Sequence, residues 1–247
     1  MGIDQVTVRR VVDREAALPE AAWAHAEALA MQIRTLWLGR AVLTAVAERD
    51  PDPRELDLMH RLARLTERQR RRLVEEFLDA VFGAAADPCL AAAGRTMTPE
   101  LPDDPRTEQL RAWAELAQLT QDPEFRDVLR RLAEAEAGEG RGVGGPGRGL
   151  WGVLHDQVGP AVAAGTGPES AEAARVLASV TAHYARLLGR SDDDAVRARL
   201  LDRLRLAADP RRELYLGLLA VINDRPRPES RAPLLDRTAR ALLADAR

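Results

Sequence analysis

Lysine is missing from this chain, and several other residue types are scarce. All 36 basic residues are arginine, against 39 acidic ones, so the net charge is −3. A free-standing nucleic-acid binder draws much of its affinity from a basic surplus that neutralises phosphates, and no such surplus is present. Direct DNA binding by this chain is therefore not expected. Cysteine occurs once, at Cys89, which excludes an intramolecular disulfide and makes a reducing cytoplasm the expected setting. No run of 18 apolar residues exists, and the opening MGIDQVTVRR lacks the apolar core of a signal peptide. We expect neither a membrane span nor a membrane partner.

Catalytic and metal-binding motifs are equally sparse. The four histidines, His25, His60, His155 and His183, stand at no metal-ligand spacing, and no CxxC, HExxH or EF-hand pattern occurs. No metal and no cofactor are expected. The segment 138–149, GEGRGVGGPGRG, lacks the preceding strand and the Lys-Ser/Thr ending of a phosphate loop, so it reads as a flexible linker. There is no GxSxG elbow for a serine hydrolase. Glu75-Glu76 and Asp192-Asp193-Asp194 are explained by helix surfaces and caps.

What is present points to helices. Hydrophobic residues make up 46%, carried by Ala, Leu and Val, while aromatics are 4%. Ala, Leu, Arg and Glu favour helix, and no convincing strand pattern appears, so the expected fold class is all-α. Residues 1–17 carry a short helical pattern with Ile3, Val6 and Val11. From 19 to 49, Ala22, Ala26, Leu29, Ile33, Leu36, Arg40, Leu43 and Ala47 alternate at spacings of four and three. That is a heptad seam on a helix roughly 45 Å long. We expect this helix to form a homodimer, with Leu29, Ile33, Leu36, Arg40 and Leu43 in the interface; the bland alternative is a long helix lying across its own domain. Asp50-Pro51-Asp52-Pro53 should end it.

A compact helical domain over 54–247 is expected to follow. Leu58, Leu62 and Leu65 mark one helix, and Thr66-Glu67-Arg68-Gln69 has the form of a capping box for the next, which carries Leu73, Phe77, Val81 and Phe82 inward and closes at Gly83. After a proline-rich loop over 84–106, helices follow with Leu110, Trp113, Leu116 and Leu119, then with Phe125, Val128 and Leu132. Beyond the glycine run come a helix from Leu150 to Ala164, one from Pro168 to Gly189, one opened by Ser191, one opened by Asp209-Pro210 with Leu214, Leu218 and Ile222 inward, and a last one over 231–245.

In so aromatic-poor a chain, Trp113, Trp151, Tyr184 and Tyr215, with His155, His183, Asn223 and Phe77, are the candidate ligand-binding residues. Trp and Tyr join a large apolar body to a polar tip, which suits a drug-sized molecule between helices. Taken singly, each reads rather as core or surface packing with a satisfied polar tip; as a group, some are expected to line a cavity. Were the pocket catalytic, His155, His183, Glu115 and Tyr184 are the candidate acid/base groups.

Three long stretches, 56–83, 99–134 and 186–223, together resemble the C-terminal region of MerR-family transcription regulators from actinobacteria, of the class whose best-known member recognises thiostrepton. An actinobacterial source also fits the exclusive use of arginine, which GC-rich coding favours. The resemblance implies a long helix that pairs antiparallel in the dimer and a C-terminal effector domain for an antibiotic-like or hydrophobic natural product. It also implies an N-terminal winged helix-turn-helix, of which residues 1–18 resemble only the last piece. The expected function is small-molecule binding, either as a sequestering resistance protein or as the sensor half of a regulator. The alternative is an effector domain reused as a cofactor-independent enzyme that folds or cyclises a biosynthetic intermediate.

Overall fold

The computed structural model describes residues 5–48, 53–83, 94, 96–139, 149–165, 167 and 170–245. All regular structure among them is helical, as the composition requires. In chain order the helices are α1 (Gln5–Glu48), α2 (Pro53–Arg64), α3 (Glu67–Phe82), α4 (Thr107–Leu119), α5 (Pro123–Glu139), α6 (150–163), α7 (Ala171–Leu187), α8 (Asp194–Ala207), α9 (Pro210–Ile222) and α10 (Ala232–Asp245). None is long and apolar enough to cross a membrane among the described residues.

The chain divides into two compact units: Met1–Thr66 with Leu101–Ala114, and Glu67–Glu100 with Glu115–Arg247. The expected boundary at 50–53 therefore moves to Thr66, and α2 joins the long helix. Asp50-Pro51-Asp52, Ile3, Cys89 and 140–148 lie outside the described residues, as do the side chains of Val6 and Val11.

In the first unit, α1 runs unbroken for 44 residues through Pro19. A helical pattern that seemed to stop near residue 17 and restart at 19 is thus one element, with no structural break at residue 18. Proline removes a single backbone donor, and the helix continues past it. Toward its C-terminal end α1 buries Leu38, Ala41, Val42 and Ala45 and packs on α2, whose Met59 and Leu62 are buried. Met59, rather than Leu58 or Leu65, sits at the centre of the α2 stripe. The segment from 101 to 111 is strapped to α1: Arg34 pairs with Asp103 at 3.0 Å, Arg40 with Asp104, and Arg111 donates to the Ala45 carbonyl at 3.1 Å. That carbonyl is among the last four of α1, which no later N–H of the helix can reach.

The second unit is built around stripes at the expected spacing, several of them shifted by one position. α3 buries Val74, Phe77 and Val81, and Leu73 faces out because 74–77–81 follows the helical turn more closely than 73–77–81. It closes at Gly83, whose φ of +70° an L side chain rarely adopts. α5 packs on α3 and α8, burying Phe125, Leu129 and Leu132; the glycine-rich run begins inside it, since Gly138 and Glu139 are still helical. Ser170 caps α7, accepting from the Ala173 N–H. The cap of α8 is Asp193, which accepts from the Val196 N–H at 2.8 Å, and not Ser191. Asp209 caps α9, where Tyr215, Leu218 and Ile222 are buried and Leu214 is exposed.

α6 is irregular. Leu150–Val153 is α-helical, Leu154–Val158 is a π-helix, and Gly159–Ala163 is α-helical again. Pro160 lacks the N–H that would bond the Asp156 carbonyl and its ring crowds that carbonyl, which accounts for the widened turn just before it.

Candidate functional site

The second unit has a polar centre assembled from helices far apart in sequence. Glu136 of α5 accepts from the Trp151 indole N–H at 3.1 Å and from the Arg203 guanidinium at 2.9 Å. Arg203, on α8, is only 2% exposed, an uncommon place for a charge without such support. Its guanidinium carbon lies 5.0 Å from the centroid of the Trp151 ring, and that of Arg231 lies 5.4 Å away. Arg212 of α9 belongs to the same electrostatic cluster. Burial lowers its pKa, and the nearby charges of Arg231 and Arg203 push the same way, against Glu136 and Glu213.

Two clefts open beside this centre and share the loop before α10 as a wall. One, of about 480 Å³, is lined by Trp151, His155, Ser230, Arg231, Leu234 and Leu235 among others. The second, of about 120 Å³, has Arg212, Glu213, Arg227, Glu229 and Arg231 among its lining. The π-turn of α6 carries His155 to the larger cleft, with Trp151 one turn earlier on the same helix.

Trp151 and His155 are thus the sequence-nominated residues that line these two clefts. Phe77 and Tyr215 are instead used in packing: with Phe125 they form an aromatic trio at centroid distances of 5.6 to 6.3 Å. The Tyr215 hydroxyl donates to the Met97 carbonyl at 2.7 Å, and burial pushes its pKa above the ordinary tyrosine value. Asn223 is a latch, donating to the Thr98 carbonyl at 3.1 Å and accepting from the Glu100 N–H at 2.7 Å. Trp113 and Tyr184 are buried. His183 is half-buried on α7 and Glu115 is exposed on α4. Neither lines the two clefts, nor does Tyr184, so the four candidate acid/base groups do not gather at either. No group of three or more His, Cys, Asp or Glu able to hold a metal occurs among the described residues.

Sequence reasoning missed the arginines. A signal was available at Arg203, which stands in register with Val196, Leu200 and Ala207 on a buried stripe. An arginine at such a position must find a partner inside.

A second arrangement lies on α1. The seam faces away from the buried Leu38, Ala41, Val42 and Ala45: Leu36 is 72% exposed, Leu43 68% and Leu29 and Ile33 45% each, with Trp23 beside them at 71%. Arg40 is exposed, and its head group is held by Asp104 of its own unit.

No family model matches the chain, and neither a curated protein nor a solved structure matches it.

Proposed function

We propose that the second unit is a small-molecule-binding domain of the MerR effector type, and that its larger cleft is the binding site. The observation that carries this is the cleft itself. Its 480 Å³ falls within the range of drug-sized ligand sites, and Trp151, Leu234 and Leu235 supply apolar wall while His155, Ser230 and Arg231 supply a few polar groups. π-turns recur at functional sites, and here one shapes the wall that holds His155. The ligand class is an antibiotic-like or other natural product with an apolar body, bound for sequestration or for signalling to a regulator. Native mass spectrometry of the full chain against a panel of such compounds tests this, together with quenching of tryptophan fluorescence. Binding with Kd below about 100 µM, with quenching that Trp151→Phe reduces, supports the reading. A panel with no such binder counts against it.

The same proposal includes a homodimer through α1. A heptad seam left exposed within its own unit needs a second helix, and its flanking positions, among them Trp23, Ala30, Trp37 and Thr44, carry little charge to oppose close approach. In an antiparallel pair centred between Arg34 and Thr35, Ile33 of one copy meets Leu36 of the other, and the small Ala26 meets the large Leu43. Light scattering across a concentration series checks the mass.

A further inference from the structure

Beside the apolar cleft, the smaller groove concentrates guanidinium groups that the fold does not use up. Arg211 is fully engaged, bonding Asp209 at 2.7 Å and Asp122 at 2.8 Å. The guanidinium groups of Arg212, Arg227 and Arg231 have no hydrogen bond or ion pair among the described residues, Arg231 lying over the Trp151 ring, and all three residues line the groove. Arg231 also lines the larger cleft, so the two clefts adjoin at that residue.

We propose that this groove receives the anionic group of the ligand, a carboxylate or sulfonate, between Arg212 and Arg231, while the ligand's apolar body lies against Trp151 and Leu234. This rests on the cleft being the binding site and adds the chemical class of what it takes. The guanidinium fork matches a carboxylate or sulfonate with two parallel donors. Two carboxylates, Glu213 and Glu229, also face the groove, and Asp209 is already neutralised by Arg211. Burial decides between the signs. Glu213 and Glu229 are exposed, whereas Arg212 is half-buried, with Arg231 and Arg203 lowering its pKa and Glu136 and Glu213 raising it. Desolvation is the largest cause disfavouring that cation, and ion pairing with an incoming anion offsets it. A neutral ligand supplies no such offset.

Two probes with one body separate the possibilities: 8-anilinonaphthalene-1-sulfonate and its uncharged analogue N-phenyl-1-naphthylamine. Each is titrated into the full chain, and the site is read from the quenching lost in Trp151→Phe, which binding along the exposed α1 seam does not affect. The expected result is a preference for the sulfonate of about tenfold or more. Arg212→Met abolishes that preference, Arg212→Lys keeps part of it, and binding of the uncharged probe is unchanged. Circular dichroism melts establish that the variants fold, and Arg231→Met provides a second test, read as the ratio of the two probes because Arg231 also lies over the Trp151 ring. Equal affinities in the parent chain, or a preference that survives both Met variants, overturn the anion assignment and leave the cleft as a site. Failure of both probes to give Trp151-dependent quenching overturns the assignment and the cleft together.

Discussion

The two units treat the same kind of sequence pattern in opposite ways. In the second, apolar residues at spacings of three and four are absorbed by the chain itself: Val74, Phe77 and Val81 on α3, Phe125, Leu129 and Leu132 on α5, Tyr215, Leu218 and Ile222 on α9. In the first, α1 carries an equally regular stripe and leaves it open, while a different face of the same helix is buried. Periodicity shows that a face is apolar. Only the surroundings show whether that face is covered from within or awaits another molecule. The hydrophobic effect is non-directional and satisfied by any apolar cover, so the two cases look alike in sequence.

The comparison can be broken most sharply at Phe77. Phe77→Ala removes a fully buried ring from the aromatic trio and should cost about 3–5 kcal/mol of stability by urea denaturation. Trp23→Ser, at an exposed position flanking the seam, should leave the stability of the isolated chain nearly unchanged; a large loss there would mean that this face packs within its own chain. Next in size is Leu36→Glu, which places a charge in the proposed dimer seam. It should raise the dimer dissociation constant by about two orders of magnitude or more, read by light scattering, without altering the helical content. A parent chain already monomeric at high concentration would remove the basis for that contrast.

A smaller effect tests how the second unit holds its helix ends. Asp209 caps α9 and is bonded by Arg211, which holds its carboxyl below the usual carboxylate range despite burial. Asp209→Ala should cost about 1 kcal/mol at neutral pH. Because the folded-state pKa is depressed, the stabilisation is fully present above the unfolded value of about 3.9 and is lost as pH falls through the folded value. The difference in melting temperature between parent and variant should therefore shrink below about pH 4; a constant difference would mean that the charge plays no part. Smallest of all, Arg40→Met removes an exposed ion pair with Asp104 and should change stability by no more than about 0.5 kcal/mol. A larger loss would show that the 101–111 strap carries more of the first unit than its exposed pairs indicate.

Several elements were legible because their signals are local. Asp209-Pro210 states a cap and a first helical turn in two residues, Gly83 and Gly189 mark ends where φ turns positive, and the α1 seam is a pattern within one helix. Errors of one or two positions, Leu73 for Val74 or Ser191 for Asp193, arise because neighbours on a helix edge or in a capping loop are chemically alike, and packing chooses between them. The candidate site was half legible. Trp151 and His155 were identifiable as scarce amphipathic residues, but equally scarce Tyr215, Phe77 and Asn223 are occupied by packing and by the 97–100 latch.

By itself the sequence determined that the chain is helical, where most helices start and stop, and that one long helix bears an apolar seam, because each of these follows from interactions within a few residues. The tertiary structure alone decided that this seam is left uncovered within its own unit. It also decided that Glu136, Trp151, Arg203, Arg212 and Arg231, from five separate segments, meet beside a cleft. The reason is distance along the chain: burial and charge pairing between residues 136 and 231 depend on how helices pack, and no local pattern encodes that.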